Sequence, residues 1–349
     1  MSAALVVGRR AARYAVPGVL GLVLVTTVGD VQAYRAGQVL ALFVALVGLD
    51  LLIGYAGQLS AGQGALFGLG AYATALLIDR AGLSYSVALV LAAVVAGLVG
   101  AVLAVPAFRI RGFALAIVTI GVAIVIPAVA NAVPFAGGYL GLSLPTVGPP
   151  AGIRVSSTAW LVCVLLVVAV AVAVTVDVFL QTASGRALSA LRRDERLAAS
   201  LGADVRMLKV LVFALASALA GLAGGLDALL SGSVTPGSYS FTLSLNLIVA
   251  VVVGGLRRRL GCLLGAAFIV YVPAWTSALG TSSSQIVYAV VLLVVLYAMP
   301  DGVAGTAGRL WATTVGPAPV PTVRWLRPRH LRIKRRPPPT PPDLAKETL

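Results

Sequence analysis

Apolar stretches of about 20 residues, separated by short polar breaks, recur along most of the chain and constrain its fold more than any other feature. A helix of that length spans the hydrocarbon core of a bilayer, which is roughly 30 Å thick. Because lipid offers no hydrogen bonds to the backbone, such stretches must be helical unless they alternate as short barrel strands, and these do not alternate. The ten predicted spans are residues 14–29, 37–54, 62–79, 84–106, 113–130, 157–180, 207–230, 241–256, 261–279 and 284–299.

The composition supports an all-α, polytopic transmembrane bundle. Hydrophobic residues make up 60% of the chain and charged residues 11%, whereas soluble domains carry roughly a quarter charged residues. The net charge of +15 does not indicate nucleic-acid binding, because the arginines lie between apolar stretches and in the tail. We predict a cytoplasmic N-terminus (1–13), a membrane domain (14–302) and a basic, proline-rich cytoplasmic tail (303–349) that is disordered or attracted to anionic lipid.

The distribution of basic residues predicts which side each loop faces. With the N-terminus inside, all but three of the 26 lysines and arginines lie on the cytoplasmic side, and the exceptions are Arg35, Arg80 and Arg154. Both termini of this multi-pass protein of the cell membrane are therefore predicted to be cytoplasmic. As an alternative, the first span is a cleaved signal peptide, since Arg9 and Arg10 precede it, and its removal would leave every other loop on the same side.

A polar, glycine-rich stretch at residues 54–64 (GYAGQLSAGQG) separates two apolar runs. Irregular backbone at membrane depth is tolerated where it lines a cavity, so this stretch indicates a broken helix beside a translocation pathway. The alternative is a short turn followed by a packing face through Gly64 and Gly68. Thr119 and Asn246 can equally form helix–helix hydrogen bonds. The candidate pathway side chains are the polar ones in and around this stretch, namely Asp50, Tyr55, Gln58, Ser60, Gln63, Thr119 and Asn246.

These motifs resemble those of a known family. Residues 54–60 (GYAGQLS), followed by 68–72 (GLGAY), are similar to the signature of the permease subunits of branched-chain amino-acid ABC transporters, the LivM/LivH type. Further matches follow in the family's order, and the loop after the sixth span is closer to the LivM type. They lie at residues 111–119, 137–142, 185–195, 198–202, 220–224, 254–256 and 300–302.

The resemblance implies an importer permease for branched-chain or related amino acids that forms half of the translocation path. Its partners would be cytoplasmic ABC ATPase subunits, a second homologous permease chain and an extracytoplasmic solute-binding protein. The resemblance implies no cofactor and no enzymatic activity of the chain itself. The chain lacks the Walker A pattern, so ATP would be bound by another subunit, and its only histidine, His330, lies in the tail rather than in the membrane. Alternatives are a similar importer for urea, amides or another small polar solute, and an ion-coupled secondary transporter with Asp50 as its coupling acid.

Residues 186–202 are the predicted contact with the ATPase. Leucines and alanines recur there at helical spacing among arginines and acidic residues, which predicts an amphipathic helix lying off the membrane. A helix resting on lipid headgroups is the alternative, and the resemblance favours docking into a cleft of the ATPase. The candidate coupling residues are Gly185, Arg186, Arg192, Asp194, Glu195, Ala198, Ala199 and Gly202.

Several aspartates lie within or near the ends of the predicted spans, where a charged side chain is unfavourable. Asp50 stands where the resembling family usually carries asparagine, and an aspartate at the centre of a span costs about 2.5–3.5 kcal/mol on insertion scales. It must therefore have partners or lie near the interface. A proton- or substrate-linked role is one hypothesis, and a hydrogen-bonded structural acid is the other. Asp177 and Asp227 lie near span ends and are expected at the interface rather than in the pathway.

Overall fold

The computed structural model describes residues 29–105, 113–149, 155–277 except 193, 201 and 203, 281–299 and 302–306. Almost the whole of the first predicted span and all of the tail after residue 306 lie outside these residues, so the boundaries proposed for both terminal segments stay predictions. The helices are α1 (Asp30–Asp50), α2 (Gln63–Asp79), α3 (Tyr85–Ala104), α4 (Phe113–Ala132), α5 (Ser157–Phe179), α6 (Ala183–Leu191), α7 (Glu195–Ser200), α8 (Val205–Ser231), α9 (Phe241–Gly254), α10 (Arg259–Thr276) and α11 (Thr281–Ala298).

The predicted all-α, polytopic membrane fold is confirmed. Nine of the ten predicted spans correspond to helices in the described residues, namely α1 to α5 and α8 to α11. Five of these are long and apolar enough to cross a bilayer: α1 with its continuation to Tyr55, α3, α5, α8 and α10. Three shorter apolar helical segments lie within α4, α9 and α11, at Ala116–Ala132, Phe241–Gly254 and Ile286–Val295.

Helix α8 lies at the centre of the bundle and packs against α1, α2 and α3. Small residues permit this close approach. A Cβ added at Gly70 of α2 would overlap the backbone of Gly221 in α8, and one added at Gly224 would overlap the carbonyl of Phe67. In lipid, helices associate through such close packing, because the surrounding chains are as apolar as the helices themselves. Helices α5 and α10 then cover α1.

The connections lie at two ends of the bundle. At one end, the start of α5 meets the start of α1, where Ser156 Oγ donates to Asp30 Oδ1 at 3.1 Å. A two-residue antiparallel ladder, β1 (Leu142–Ser143) with β2 (Ser233–Val234), joins two loops at that end. The other end, which we call the arginine end, comprises residues 50–57, 177–192, 194–200, 254–259 and 302–306, which are joined by hydrogen bonds. Short 3-10 turns complete the first end, at Pro134–Ala136, Gly138–Leu140 and Pro236–Tyr239.

Candidate functional site

Helix α1 does not run on into α2. At Leu51 its hydrogen bonding changes to that of a π-helix, which we call the π-turn (Leu51–Tyr55). Residues 56–62, which we call the break, are not helical and lead to the start of α2. Gly57 within the break has φ +69°, a conformation that favours glycine. The broken segment predicted near 54–64 is thus observed, and single π-turns inside helices frequently mark functional sites.

Hydroxyl groups of two other helices hold the break inside the bundle. Ala61 N donates to Thr119 Oγ1 of α4 at 2.9 Å, and Thr119 Oγ1 in turn donates to Ala116 O at 2.9 Å. Gly64 N, at the start of α2, donates to Ser244 Oγ of α9 at 3.0 Å. These contacts supply partners for irregular backbone within the protein, as a membrane protein requires at this depth.

Three polar side chains of this region are buried with unpaired atoms in the described part of the chain. Gln58 is 8% exposed and both of its amide atoms lack a hydrogen-bond partner, as does the hydroxyl of fully buried Ser60. Gln63 Nε2 donates to Ala216 O at 2.7 Å, but its Oε1 has no partner. Unpaired buried polar groups are costly, so this set favours occupation by water or a small polar solute.

The other predicted pathway residues are not part of this set of buried, unpaired side chains. Asn246 is partly buried on α9, and among the described residues no hydrogen bond joins its side chain to the break. Asp50 and Tyr55 belong to a second cluster, at the arginine end. Thr119 is in the region, but its hydroxyl is engaged with backbone on both sides, as in the helix-packing interpretation.

Asp50 is fully buried and paired. Its Oδ1 accepts a hydrogen bond from Arg257 N at 2.6 Å, and its Oδ2 lies 3.6 Å from Arg259 Nη1. Arg259 Nε also donates to Asp177 Oδ1 at 2.9 Å. Asp50 therefore has the partners predicted from its position in a span, and they lie more than 200 residues later in the sequence.

Arg257 contacts the π-turn through both its side chain and its backbone. Its guanidinium carbon lies 5.2 Å from the centre of the Tyr55 ring, and Tyr55 OH donates to Arg257 O at 3.5 Å. Its φ of +63° is unusual for a non-glycine residue and places the Arg257 amide beside Asp50. Arg257, Arg259 and Asp177 are not among the predicted pathway residues. The available signal was a run of three arginines that could neutralise an aspartate predicted inside a span.

The predicted helix at 186–202 is divided in two. Helix α6 ends at Leu191 and α7 begins at Glu195, with Arg192 and Asp194 in the connection. The expected continuous helix is therefore wrong in this respect. Asp194 Oδ1 accepts from Arg196 N at 2.8 Å, which caps α7 and separates it from α6.

The candidate coupling residues take different positions on these two helices. Gly185 and Ala198 are buried, together with Leu188 and Leu191, so the apolar stripe faces the protein. The Glu195 carboxylate pairs with Lys209 of α8 at 2.6 Å. The exposed members are Arg186, Arg192, Asp194, Ala199 and Gly202.

One of the exposed members reaches the break. Arg192 Nη1 donates a hydrogen bond to the main-chain oxygen of Gly54 in the π-turn. A Cβ added at Gly57 would lie 3.4 Å from Arg192 Cγ, so the arginine also covers the start of the break. The structure thus brings a predicted coupling residue into contact with the predicted pathway segment.

A cavity of about 790 Å³ lies elsewhere, between α3, α5 and α8. Its lining is almost wholly apolar, and it includes none of the candidate pathway side chains. An amino acid or another polar solute would find few hydrogen-bond partners there, so the break is the better candidate for a polar pathway. Among the described residues, no group of three or more His, Cys, Asp and Glu side chains could hold a metal ion.

Comparison with known proteins places these features in a family. The family model described as the permease component of branched-chain amino acid transport systems matches residues 15–299. The chain is 32% identical over 248 residues to the high-affinity branched-chain amino acid transport system permease protein LivM of Escherichia coli strain K12, covering 64% of this chain and 58% of that relative. The chain thus spans less than two thirds of the length of this relative.

Two more distant relatives are also named as branched-chain amino acid transport permease proteins. The chain is 25% identical over 232 residues to the probable branched-chain amino acid transport permease protein LivM of Methanocaldococcus jannaschii, covering 62% of this chain and 66% of the relative. It is 30% identical over 122 residues to LivH of Salmonella typhimurium, covering 35% and 39%. No solved structure matches the chain significantly. The chain therefore belongs to the family of permease components of branched-chain amino acid transport systems, and within it is closer to LivM than to LivH.

Proposed function

We propose that the chain is the permease subunit of an ABC importer for branched-chain or related amino acids and forms half of the translocation path. The observation that carries this proposal is the hydrogen bond from Arg192 to Gly54, because it joins the segment expected to meet an ATPase to the segment expected to form the pathway. Family membership supports the substrate class.

The pathway is proposed to pass along the break. Gln58, Ser60 and Gln63 present neutral amide and hydroxyl groups with unpaired atoms, and the charged side chains of Asp50 and Arg259 face each other at the arginine end. Neutral donors and acceptors suit a solute without net charge, such as a zwitterionic amino acid, because they bind its polar ends without a desolvated counter-charge.

The arginine end is proposed to face the cytoplasm. The positive-inside rule favours this orientation, since α6, α7 and the α9–α10 loop carry their arginines together at this end. ATPase subunits would then bind α6 and α7, and a solute-binding protein would deliver substrate at the opposite end. Ala199→Cys on α7 and Tyr139→Cys at the opposite end, both at exposed positions, test this orientation by labelling intact cells with an impermeant maleimide.

Exposed apolar faces remain for lipid and for a second permease chain. On α3, large side chains including Val90, Leu98 and Val102 are more than half exposed, and α11 exposes Ile286 and Leu293 similarly. In a membrane such faces are covered by lipid or by another helix bundle. We propose that a homologous chain covers part of this surface and completes the path.

Co-purification in mild detergent, with identification of the bound chains, tests the assembly. An ATPase and a second permease are expected in the complex. Uptake into vesicles reconstituted with those partners is expected to prefer leucine, isoleucine or valine and to require ATP. Uptake of urea or amides in preference to leucine would reassign the substrate. Uptake that persists without the ATPase and stops with an uncoupler would replace the ABC mechanism with ion coupling.

A further inference from the structure

The contact between Asp50 and Arg259 is incomplete on both sides. Asp50 Oδ2 and Arg259 Nη1 are 3.6 Å apart, and neither atom has a hydrogen-bond partner in the described part of the chain. Arg259 Nη2 is also buried without a partner. Buried charged groups are expensive unless they are fully hydrogen-bonded, so this arrangement is not one that maximises stability.

The other contacts of the same groups are complete. Arg259 Nε donates to Asp177 Oδ1 at 2.9 Å, and Asp50 Oδ1 accepts from Arg257 N at 2.6 Å. Arg259 is therefore also anchored to the end of α5, and Asp50 to the backbone of Arg257 in the α9–α10 loop, two residues before Arg259. The Asp50–Arg259 contact is the longest of the three, and movement of Asp50 away from the α9–α10 loop breaks both this contact and the hydrogen bond from Arg257 N.

The Asp50–Arg259 contact lies against the π-turn, which leads into the break. The π-turn begins at the residue after Asp50, and a Cβ added at Gly54 would overlap Asp50 Oδ1, so the aspartate lies directly against the π-turn. Movement of Asp50 relative to Arg259 therefore displaces the π-turn and, with it, residues 56–62. Because the two groups carry opposite charges in a buried setting, their attraction favours the closed position.

We propose that Asp50 and Arg259 form a charge lock, in which both are positioning residues for transport. Together with the hydrogen bond from Arg257 N, the lock holds the π-turn against the α9–α10 loop and keeps the buried side chains of Gln58 and Ser60 inaccessible from the arginine end, and opening of the pathway requires Asp50 to leave both arginines. The inference rests on the proposed function for the assignment of the break as the pathway, but its test needs neither substrate nor ATPase.

The test measures access to the break. Ser60 is fully buried, so Ser60→Cys, in a background with Cys163→Ala and Cys262→Ala, is expected to react slowly with N-ethylmaleimide in isolated membranes. Asp50→Asn retains an acceptor for Arg257 N but removes the charge. It is expected to raise the labelling rate about tenfold, within the roughly 5- to 150-fold range of ordinary conformational couplings. Arg259→Gln is expected to act in the same direction.

Two controls separate a lock from general loosening. Arg259→Lys keeps the charge opposite Asp50 and is expected to label more slowly than Arg259→Gln, although its single ammonium cannot reproduce both guanidinium contacts of Arg259. Arg80→Gln removes an exposed arginine that faces Asp79 at 3.9 Å at the opposite end, and is expected to change nothing. If Arg259→Gln fails to fold, the labelling rate of Asp50→Asn alone tests the proposal. Folded Asp50→Asn protein that labels at the parent rate overturns the lock, whatever its transport activity.

Discussion

Arg192 donates a hydrogen bond to the main-chain carbonyl of Gly54, and so fastens the connection between α6 and α7 to the π-turn. The two residues are 138 positions apart in the sequence but are in direct contact. A displacement of α6 and α7 by a bound partner would therefore act on the break directly. The two segments are joined by a direct contact, so movement of one can act on the other without intermediate elements.

Replacement of Arg192 by alanine is expected to uncouple the two segments. Transport should fall about tenfold while ATP hydrolysis by the assembled complex continues, because the ATPase would still close but would no longer move the π-turn. The measurement is the ratio of substrate transported to ATP hydrolysed in reconstituted vesicles. Arg206→Ala is the matched control, since Arg206 is an exposed arginine in the first turn of α8 and is not among the candidate coupling residues. Equal ratios for the two variants would contradict the prediction.

Thr119→Val is expected to destabilise the fold. The substitution preserves shape but removes the acceptor of Ala61 N, which leaves a buried amide unpaired at a cost of about 1–3 kcal/mol. Thr119→Ser retains the hydroxyl and is the control. The thermal unfolding midpoint of purified protein in detergent should fall for valine and remain near the parent value for serine. A valine variant as stable as the serine variant would show that the break is held by other contacts.

Gly70→Ala is expected to disrupt the contact between α2 and α8. The added methyl would overlap the backbone of Gly221, which cannot move aside as a flexible side chain does, and overpacking of this kind costs about 1–3 kcal/mol or more. Gly121→Ala on α4 is the control, since nothing lies within 4 Å of its added Cβ. Alanine is favoured over glycine inside a helix by about 0.5–1 kcal/mol, so the control should be neutral or stabilising. The yield of folded protein and its unfolding midpoint measure both effects.

The spans and the break could be predicted from the sequence because their signals are local. Length and hydropathy define a membrane helix, and a cluster of glycines with polar residues marks its interruption. The need of Asp50 for partners also follows from local burial. Its partners do not, because Arg257 and Arg259 lie more than 200 residues away and are brought to it by the packing of α10 on α1.

The division of the coupling segment was missed for a different reason. Residues 186–201 contain neither glycine nor proline, and their strong helix formers predict a single helix. The signal that could have located the division is Asp194, since an aspartate followed by glutamate in the next position is typical of a helix N-terminus. The division between α6 and α7 places Arg192 in the connection after α6, and from there its side chain reaches Gly54.

Ser60→Ala separates the role of the break in transport from its role in folding. The Ser60 hydroxyl is fully buried and has no hydrogen-bond partner in the described part of the chain, so removing it breaks no contact and should leave the unfolding midpoint unchanged or slightly higher. If the hydroxyl binds the solute in transit, KM for uptake should rise about 2- to 10-fold, which corresponds to one neutral hydrogen bond of about 0.5–1.5 kcal/mol.

The control for this prediction is Ser217→Ala. Ser217 is also fully buried, but its hydroxyl donates to Phe213 O within α8 at 2.8 Å and does not line the break. We expect its KM to equal that of the parent and its unfolding midpoint to fall slightly. A Ser60 variant that loses stability but keeps the parent KM would make this hydroxyl a part of the scaffold. The path would then have to be sought on the side of Gln58 and Gln63, whose amide groups also carry unpaired atoms.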